Sequence, residues 1–314
     1  MKFHTLMFVA LATPLIAIAD DKSDNSAPAI QQKHADAGRI ALVSDFPDRG
    51  GLFVMDADGG NLKRLTKNGM CLLPTWSPDG KLIAYLSLRE ADFNPKYDVA
   101  FQWPLFVIDV QTGKAQKITS APIGMVFQWS PDGKKFVFQS SHEDQRNQGK
   151  EGVVSSAIYV MDRDGTNQKR LTSIEEMNGS PSWSPDGNEI HFKATEAGST
   201  IAYFMKPDGS GLKKEATKAG VPLPPAKRLI SVEGEIHVVD ADGSKKKLTS
   251  KDEEATDYVL SADGTRIFYR AQQQGKWGLF TVEIDGKNRK RLAPDVGNVT
   301  GFALSGPPNR SLAE

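Results

Sequence analysis

From about Gly38 onward the chain is built of short runs in which apolar and polar residues alternate, separated by turn residues. Period-two alternation rich in Val, Ile, Leu, Phe and Tyr predicts half-buried strands and not helices. One phrase punctuates the runs: Trp76-Ser77-Pro78-Asp79-Gly80, Trp129-Ser130-Pro131-Asp132-Gly133 and Trp183-Ser184-Pro185-Asp186-Gly187, with a degraded copy at Leu260-Ser261-Ala262-Asp263-Gly264. Each copy leads into an apolar run such as Ile83-Ala84-Tyr85-Leu86 or Phe136-Val137-Phe138. A second phrase follows later in each unit, as in Leu52-Phe53-Val54-Met55-Asp56 and Ile158-Tyr159-Val160-Met161-Asp162.

Units close on Arg64-Leu65-Thr66, Lys117-Ile118-Thr119, Arg170-Leu171-Thr172, Glu215-Ala216-Thr217, Lys247-Leu248-Thr249 and Arg291-Leu292-Ala293. These six closes stand 53, 53, 45, 32 and 44 residues apart. Four short strands per unit, joined by Pro-Asp-Gly and Asp-x-Asp-Gly turns, make a four-stranded antiparallel blade. A repeat of about 40–45 residues predicts an all-β fold, a six-bladed β-propeller. The first run, Arg39 to Val43, reads as a second strand with no innermost strand before it. The last, Val299 to Ser305, reads as an innermost strand with nothing after it. The C-terminal strand is therefore expected to complete the N-terminal blade, which removes exposed edges.

Residues 1–19 read as a cleaved secretory signal: Lys2, an apolar run from Thr5, and the small-x-small site Ala17-Ile18-Ala19. A membrane span needs about 20 apolar residues, and Pro14 interrupts this run. Residues 20–37 are polar and read as a disordered leader, leaving 38–314 as one propeller domain. The location this implies is periplasmic or secreted, with no integral membrane segment after signal cleavage. Cys71 is the single cysteine, so no internal disulfide forms, and its apolar neighbours predict a buried thiol. Basic and acidic residues balance at 39 each, which gives no electrostatic reason for a nucleic-acid partner. A monomer is expected.

The Trp-Ser-Pro-Asp-Gly phrase, the Val-Met-Asp-x-Asp-Gly strand and the Arg-Leu-Thr close together resemble the repeats of the TolB-like (WD40-like) propeller family. The resemblance covers about Gly38 to Ser305. It implies the fold; similar repeats are shared by prolyl-oligopeptidase-type propellers and oligogalacturonate lyases, so it implies no single activity. TolB proteins carry an α/β domain ahead of the propeller, where this sequence has only the short leader. The fifth unit, around Val221 to Ala226, has lost the motif.

With strands A to D counted outward from the centre, the A–B and C–D turns share one rim. The B–C loops and the D-to-A crossings share the other. The long insertions, Ser87 to Pro104 and Ser141 to Ser156, fall on this second rim. They carry Arg89, Tyr97, Phe101 and Trp103, and His142 and Arg146, respectively. These six are the candidate binding residues, because loops on rigid scaffolds host sites and Tyr, Trp and Arg anchor interfaces. The alternative is that the aromatics fold back to cover the ends of blades two and three.

No catalytic residue, metal ligand or cofactor motif is identified. The Asp-x-Asp-Gly phrases lack the remaining ligands of a calcium loop and read as tight turns. His191 and His237 occupy strand positions that other units fill with packing residues; His142 alone lies on a candidate loop, beside Glu143 and Asp144. No Gly-x-Ser-x-Gly elbow is present and no hydrolase segment follows the propeller, so a prolyl-oligopeptidase arrangement is not expected. The sequence thus suggests a non-catalytic module that engages a protein or glycan partner through the long-loop rim. The alternative is a carbohydrate-active propeller enzyme, oligogalacturonate-lyase-like, using a divalent metal.

Overall fold

The computed structural model describes residues 38–45, 50–66, 70–88, 103–119, 123–140, 156–173, 177–196, 199–214, 228–240 and 242–306. The signal and leader assigned to residues 1–37 lie outside these. Each Ser-Pro-Asp-Gly phrase folds as the same turn. Ser130 Oγ donates to Asp132 Oδ1 at 2.6 Å, and Asp132 accepts the Lys134 N–H at 3.0 Å. Gly133 takes φ 68°, a conformation that costs a residue without Cβ nothing. Ser77–Asp79 and Ser184–Asp186 repeat the contact at 2.6 Å, and the degraded copy keeps it as Ser261–Asp263.

The strands so reversed assemble into six sheets. Blade one contains β1 (Arg39–Ser44), β2 (Gly51–Asp56) and β3 (Lys63–Arg64), and blade two β4 (Met70–Trp76), β5 (Leu82–Leu88), β6 (Leu105–Asp109) and β7 (Ala115–Lys117). Blade three is β8 (Phe127–Trp129), β9 (Lys135–Ser140), β10 (Ala157–Asp162) and β11 (Lys169–Arg170). Blade four is β12 (Met177–Trp183), β13 (Ile190–Glu196), β14 (Ser199–Met205) and β15 (Lys213–Lys214). Blade five shows three strands among the described residues: β16 (Arg228–Val232), β17 (Glu235–Val239) and β18 (Lys245–Lys247). Blade six is β19 (Thr256–Leu260), β20 (Arg266–Gln273), β21 (Lys276–Glu283) and β22 (Lys290–Leu292). The last strand, β23 (Val299–Leu304), pairs antiparallel with β1, Leu42 opposite Phe302, and so forms the innermost strand of blade one.

The closing Arg-Leu-Thr phrase has a specific job. The threonine hydroxyl accepts an N–H at the start of strand C, from its first or second residue: Leu52 N to Thr66 Oγ1 at 2.9 Å, Leu105 N to Thr119 at 3.0 Å, Ile158 N to Thr172 at 2.9 Å and Ile236 N to Thr249 at 2.7 Å. Its leucine or isoleucine packs on the next blade's Asp-x-Asp-Gly turn. A Cβ on Gly165 would lie 2.1 Å from the Ile118 carbonyl oxygen, so that turn admits only glycine.

Within blades the aromatics stack across strands B and C, Tyr85 on Phe106 at 5.7 Å and Phe138 on Tyr159 at 5.4 Å. Between blades, apolar clusters join one to two, two to three, three to four, five to six and six back to one. In the last, Ile40, Leu42 and Phe53 pack with Phe268, Leu279 and Leu292. At about 1.5–3 kcal/mol for each large side chain buried, these seams carry most of the fold's favourable free energy. No such cluster among the described residues joins blades four and five. There His191, expected to pack, has a side chain 43% exposed, 3.6 Å from Glu189. Cys71 is buried as expected, its sulfur near the Thr66 and Ser87 hydroxyls.

Candidate functional site

Five of the six candidate residues, Arg89, Tyr97, Phe101, His142 and Arg146, lie outside the described residues. What is described is how their loops are rooted. In blade two, Ser87 N–H donates to the Pro104 carbonyl at 3.2 Å. Trp103 then forms a reciprocal bridge with Ile123, at 3.0 and 2.9 Å. This ties the end of the B–C insertion to the crossing that enters blade three. The Trp103 ring is partly buried against the cluster of Leu86, Leu105, Ile123 and Trp129. Trp103 therefore packs on the end of its blades, as the alternative reading of the aromatics anticipates for this position.

The blade-three insertion is rooted by polar groups. Gln139 Nε2 donates to Ser156 Oγ at 3.0 Å, and Ser156 Oγ donates to the Asn178 carbonyl at 2.6 Å. Asn178, 1% exposed, gives its amide hydrogens to the carbonyls of Ser156 and Ser173 at 3.2 and 2.9 Å. Such a buried network costs heavily if one member is removed. It fixes where the loop leaves and re-enters the blade.

On the same rim the B–C connections of blades five and six are two-residue hairpins, Glu233-Gly234 and Gln274-Gly275, with positive φ at both central residues. The blade-six hairpin holds a cluster that the sequence alone does not single out. Arg270 bonds the carboxylate of Asp257, donates to the Val299 carbonyl at 3.0 Å, and places its guanidinium carbon 5.1 Å from the centroid of the Trp277 ring. Trp277 N–H donates to Asn298 Oδ1 at 3.2 Å. Asp257 sits at φ 46° in a bulge of β19, which re-aims it toward Arg270. The nearest signal in the sequence is the shortness of the hairpin; the contacts themselves join residues up to 29 positions apart.

On the opposite rim the carboxylates serve turns. Asp186 is held down to about 2, first by the Ser184 hydroxyl and then by the N–H and side chain of Asn188. Asp162 is lowered by Lys135 and Asn167, and Asp164 by Thr166. His237, 16% exposed, has Nε2 3.7 Å from Glu235, and its buried Nδ1 has no hydrogen-bond partner. Among the described residues no three His, Cys, Asp or Glu side chains gather closely enough to hold a metal ion. No helix among them is long and apolar enough to cross a membrane.

Sheets radiating as blades, with turns on one rim and anchored loops on the other, define a β-propeller whose variable surface is the loop rim. The chain belongs to the TolB beta propeller domain family, whose pattern it matches over residues 51–306. It is 32% identical over 162 residues to the TolB homolog of Chlorobium chlorochromatii, covering 51% of this chain and 32% of that protein. It is 30% identical over 149 residues to an uncharacterized peptidase, YuxL, of Bacillus subtilis strain 168, covering 38% of this chain and 21% of that protein. The chain thus spans a third or less of these two relatives. The crystal structure of TolB from Acinetobacter baumannii superposes with a TM-score of 0.57 at 23% identity, over 87% of this chain and 68% of that one. That likeness is one of fold.

Proposed function

We propose that this protein is an exported, non-catalytic binding module of the cell envelope, periplasmic or secreted, whose protein or glycan partner docks on the long-loop rim. The observation that carries the reading is the asymmetry of the two rims. On the turn rim, Ser and Asp side chains are consumed by repeated local hydrogen bonds. On the loop rim, two insertions of differing sequence leave rigid, hydrogen-bonded roots. Loops free of ladder constraints on a fixed scaffold are where recognition concentrates. Membership of the TolB propeller family is in keeping with a binding role.

Partner capture from the native envelope tests this reading. Tyr97→Ala with Phe101→Ala is the loop variant; Trp103 stays, because its ring is packed. Lys81, Lys134 and Asn188, all exposed beside the Pro-Asp-Gly turns, are changed to Ala as the opposite-rim control. The loop variant is expected to lose at least tenfold in partner recovery, since such anchors contribute about 2 kcal/mol or more. The control is expected to bind normally. The reverse pattern would overturn the assignment of the rims.

A further inference from the structure

Blade six presents a preorganised aromatic platform on the same rim. Phe268 and Leu279 of β20 and β21 pack in the seam with blade one. Farther along the same face, toward the loop rim, come Arg270, Gln272 and Trp277, with Gln272 directly opposite Trp277 in the ladder. The Gln274-Gly275 hairpin is too short to move, and the Trp277 backbone is tied to Asn298. One side of the indole lies over the Arg270 guanidinium, whose charge Asp257 neutralises at close range. The ring is partly exposed, with Gln272 opposite it in the ladder, Asn298 accepting its backbone N–H, and Asp257 held on the Arg270 beneath it.

We infer that Trp277, with the neighbouring Gln272 and Asn298 and the Arg270–Asp257 pair, is a sugar-binding subsite that takes a pyranose ring of a glycan. The flat C–H face of a gluco-configured sugar gains dispersion contacts on an indole. Its hydroxyls need acceptors and donors, and the residue types next to Trp277, two amides and a carboxylate paired with a guanidinium, are of that kind. A protein anchor would instead call for an apolar surround that excludes water. The exposed large apolar side chains of the described chain, Leu62, Met70, Leu73, Val126, Leu212 and Val232, belong to other blades. Because the site is already ordered, binding a ring there immobilises little protein, which favours detectable affinity for a small ligand.

This inference rests on the loop rim being the binding face, but its test is separate. The probe is cellotetraose, an all-equatorial β-1,4-linked glucose chain, titrated to about 10 mM into uniformly nitrogen-15-labelled protein, whose five tryptophans give indole N–H signals. The indole N–H signal absent from Trp277→Phe identifies Trp277. That signal is expected to shift saturably, together with the side-chain amides of Gln272 and Asn298. Trp277→Phe should weaken binding severalfold and Trp277→Ala should abolish it, with melting unchanged in both. The Tyr97, Phe101 loop variant should leave the titration as it was. If no indole signal moves, or if the remaining shifts persist in Trp277→Ala, the subsite does not exist. Should that happen while the envelope partner is still captured through Tyr97 and Phe101, this inference fails and the rim reading stands.

Discussion

The indole N–H of Trp76, on the innermost strand of blade two, donates to the carbonyl of Ala303, on the innermost strand of blade one, at 3.2 Å. The partners are 227 positions apart, and the bond ties the first complete blade to the chain's last strand. Trp129 repeats the gesture one blade on, reaching the Thr75 carbonyl at 3.4 Å. In blades two and three the tryptophan of the repeated phrase is therefore a hydrogen-bonded staple to the preceding blade, whereas in blade four the buried Trp183 Nε1 makes no such bond. Trp76→Phe should cost about 1 kcal/mol, the net worth of one buried hydrogen bond. Trp76→Ala should cost about 3–5 kcal/mol through the cavity. Denaturant titration would measure both, and a Trp76→Phe variant as stable as wild type would mean that the bond contributes nothing.

Removing residues after Asn298 deletes β23, which covers the inner edge of β1 and contributes Val299 and Phe302 to the seam with blade six. With native stability of only about 5–15 kcal/mol, this truncation should abolish the cooperative transition and aggregate through the bared edge. A truncated protein that melts like the full chain would contradict this role for the last strand.

In blade five, His237 stands across the outer ladder from Lys247, where other blades pair Phe53 with Arg64 and Phe280 with Arg291. Those rings lie 5.7 and 5.9 Å from their guanidinium carbons. His237 instead buries Nδ1 without a partner. His237→Phe removes that unmet nitrogen and restores the aromatic, so it should raise stability by about 1 kcal/mol. A loss of stability in thermal unfolding would show that the histidine is held by something more.

The turn carboxylates set the acid response. Asp186 is lowered from 3.8 to about 2, chiefly by the Ser184 hydroxyl. A folded pKa below the unfolded one means the stabilisation is fully present above about pH 4 and is lost as pH falls toward 2. Ser184→Ala should shrink that loss, giving a flatter stability profile between pH 4 and pH 2 than wild type. An unchanged profile would show that the hydroxyl does not hold this carboxylate.

The repeats made the strands, their order and the exchange of the last strand legible, because turn chemistry such as Ser130–Asp132 is local and period-two alternation is direct. His191 stands in a packing column yet is half-exposed. Its strand position is right, but its exposure depends on the blade-five face opposite, and that unit has lost its phrase. Trp103 could be placed on a loop, yet its ring belongs to the core through a bridge to Ile123 twenty positions on. The Arg270–Asp257–Trp277 cluster leaves no sequence signal beyond the shortness of its hairpin, since a β19 bulge and the β20–β21 hairpin create it jointly.

The binding face is tested most directly by backbone hydrogen exchange on the protein with its captured envelope partner bound. Protection is predicted at the roots of the long loops, Leu86, Ser87, Ser140, Ser156 and Asn178, and at the blade-six hairpin around Trp277. Protection confined to the opposite turns, around Gly80, Gly133 and Gly187, with the loop roots unchanged, would contradict it.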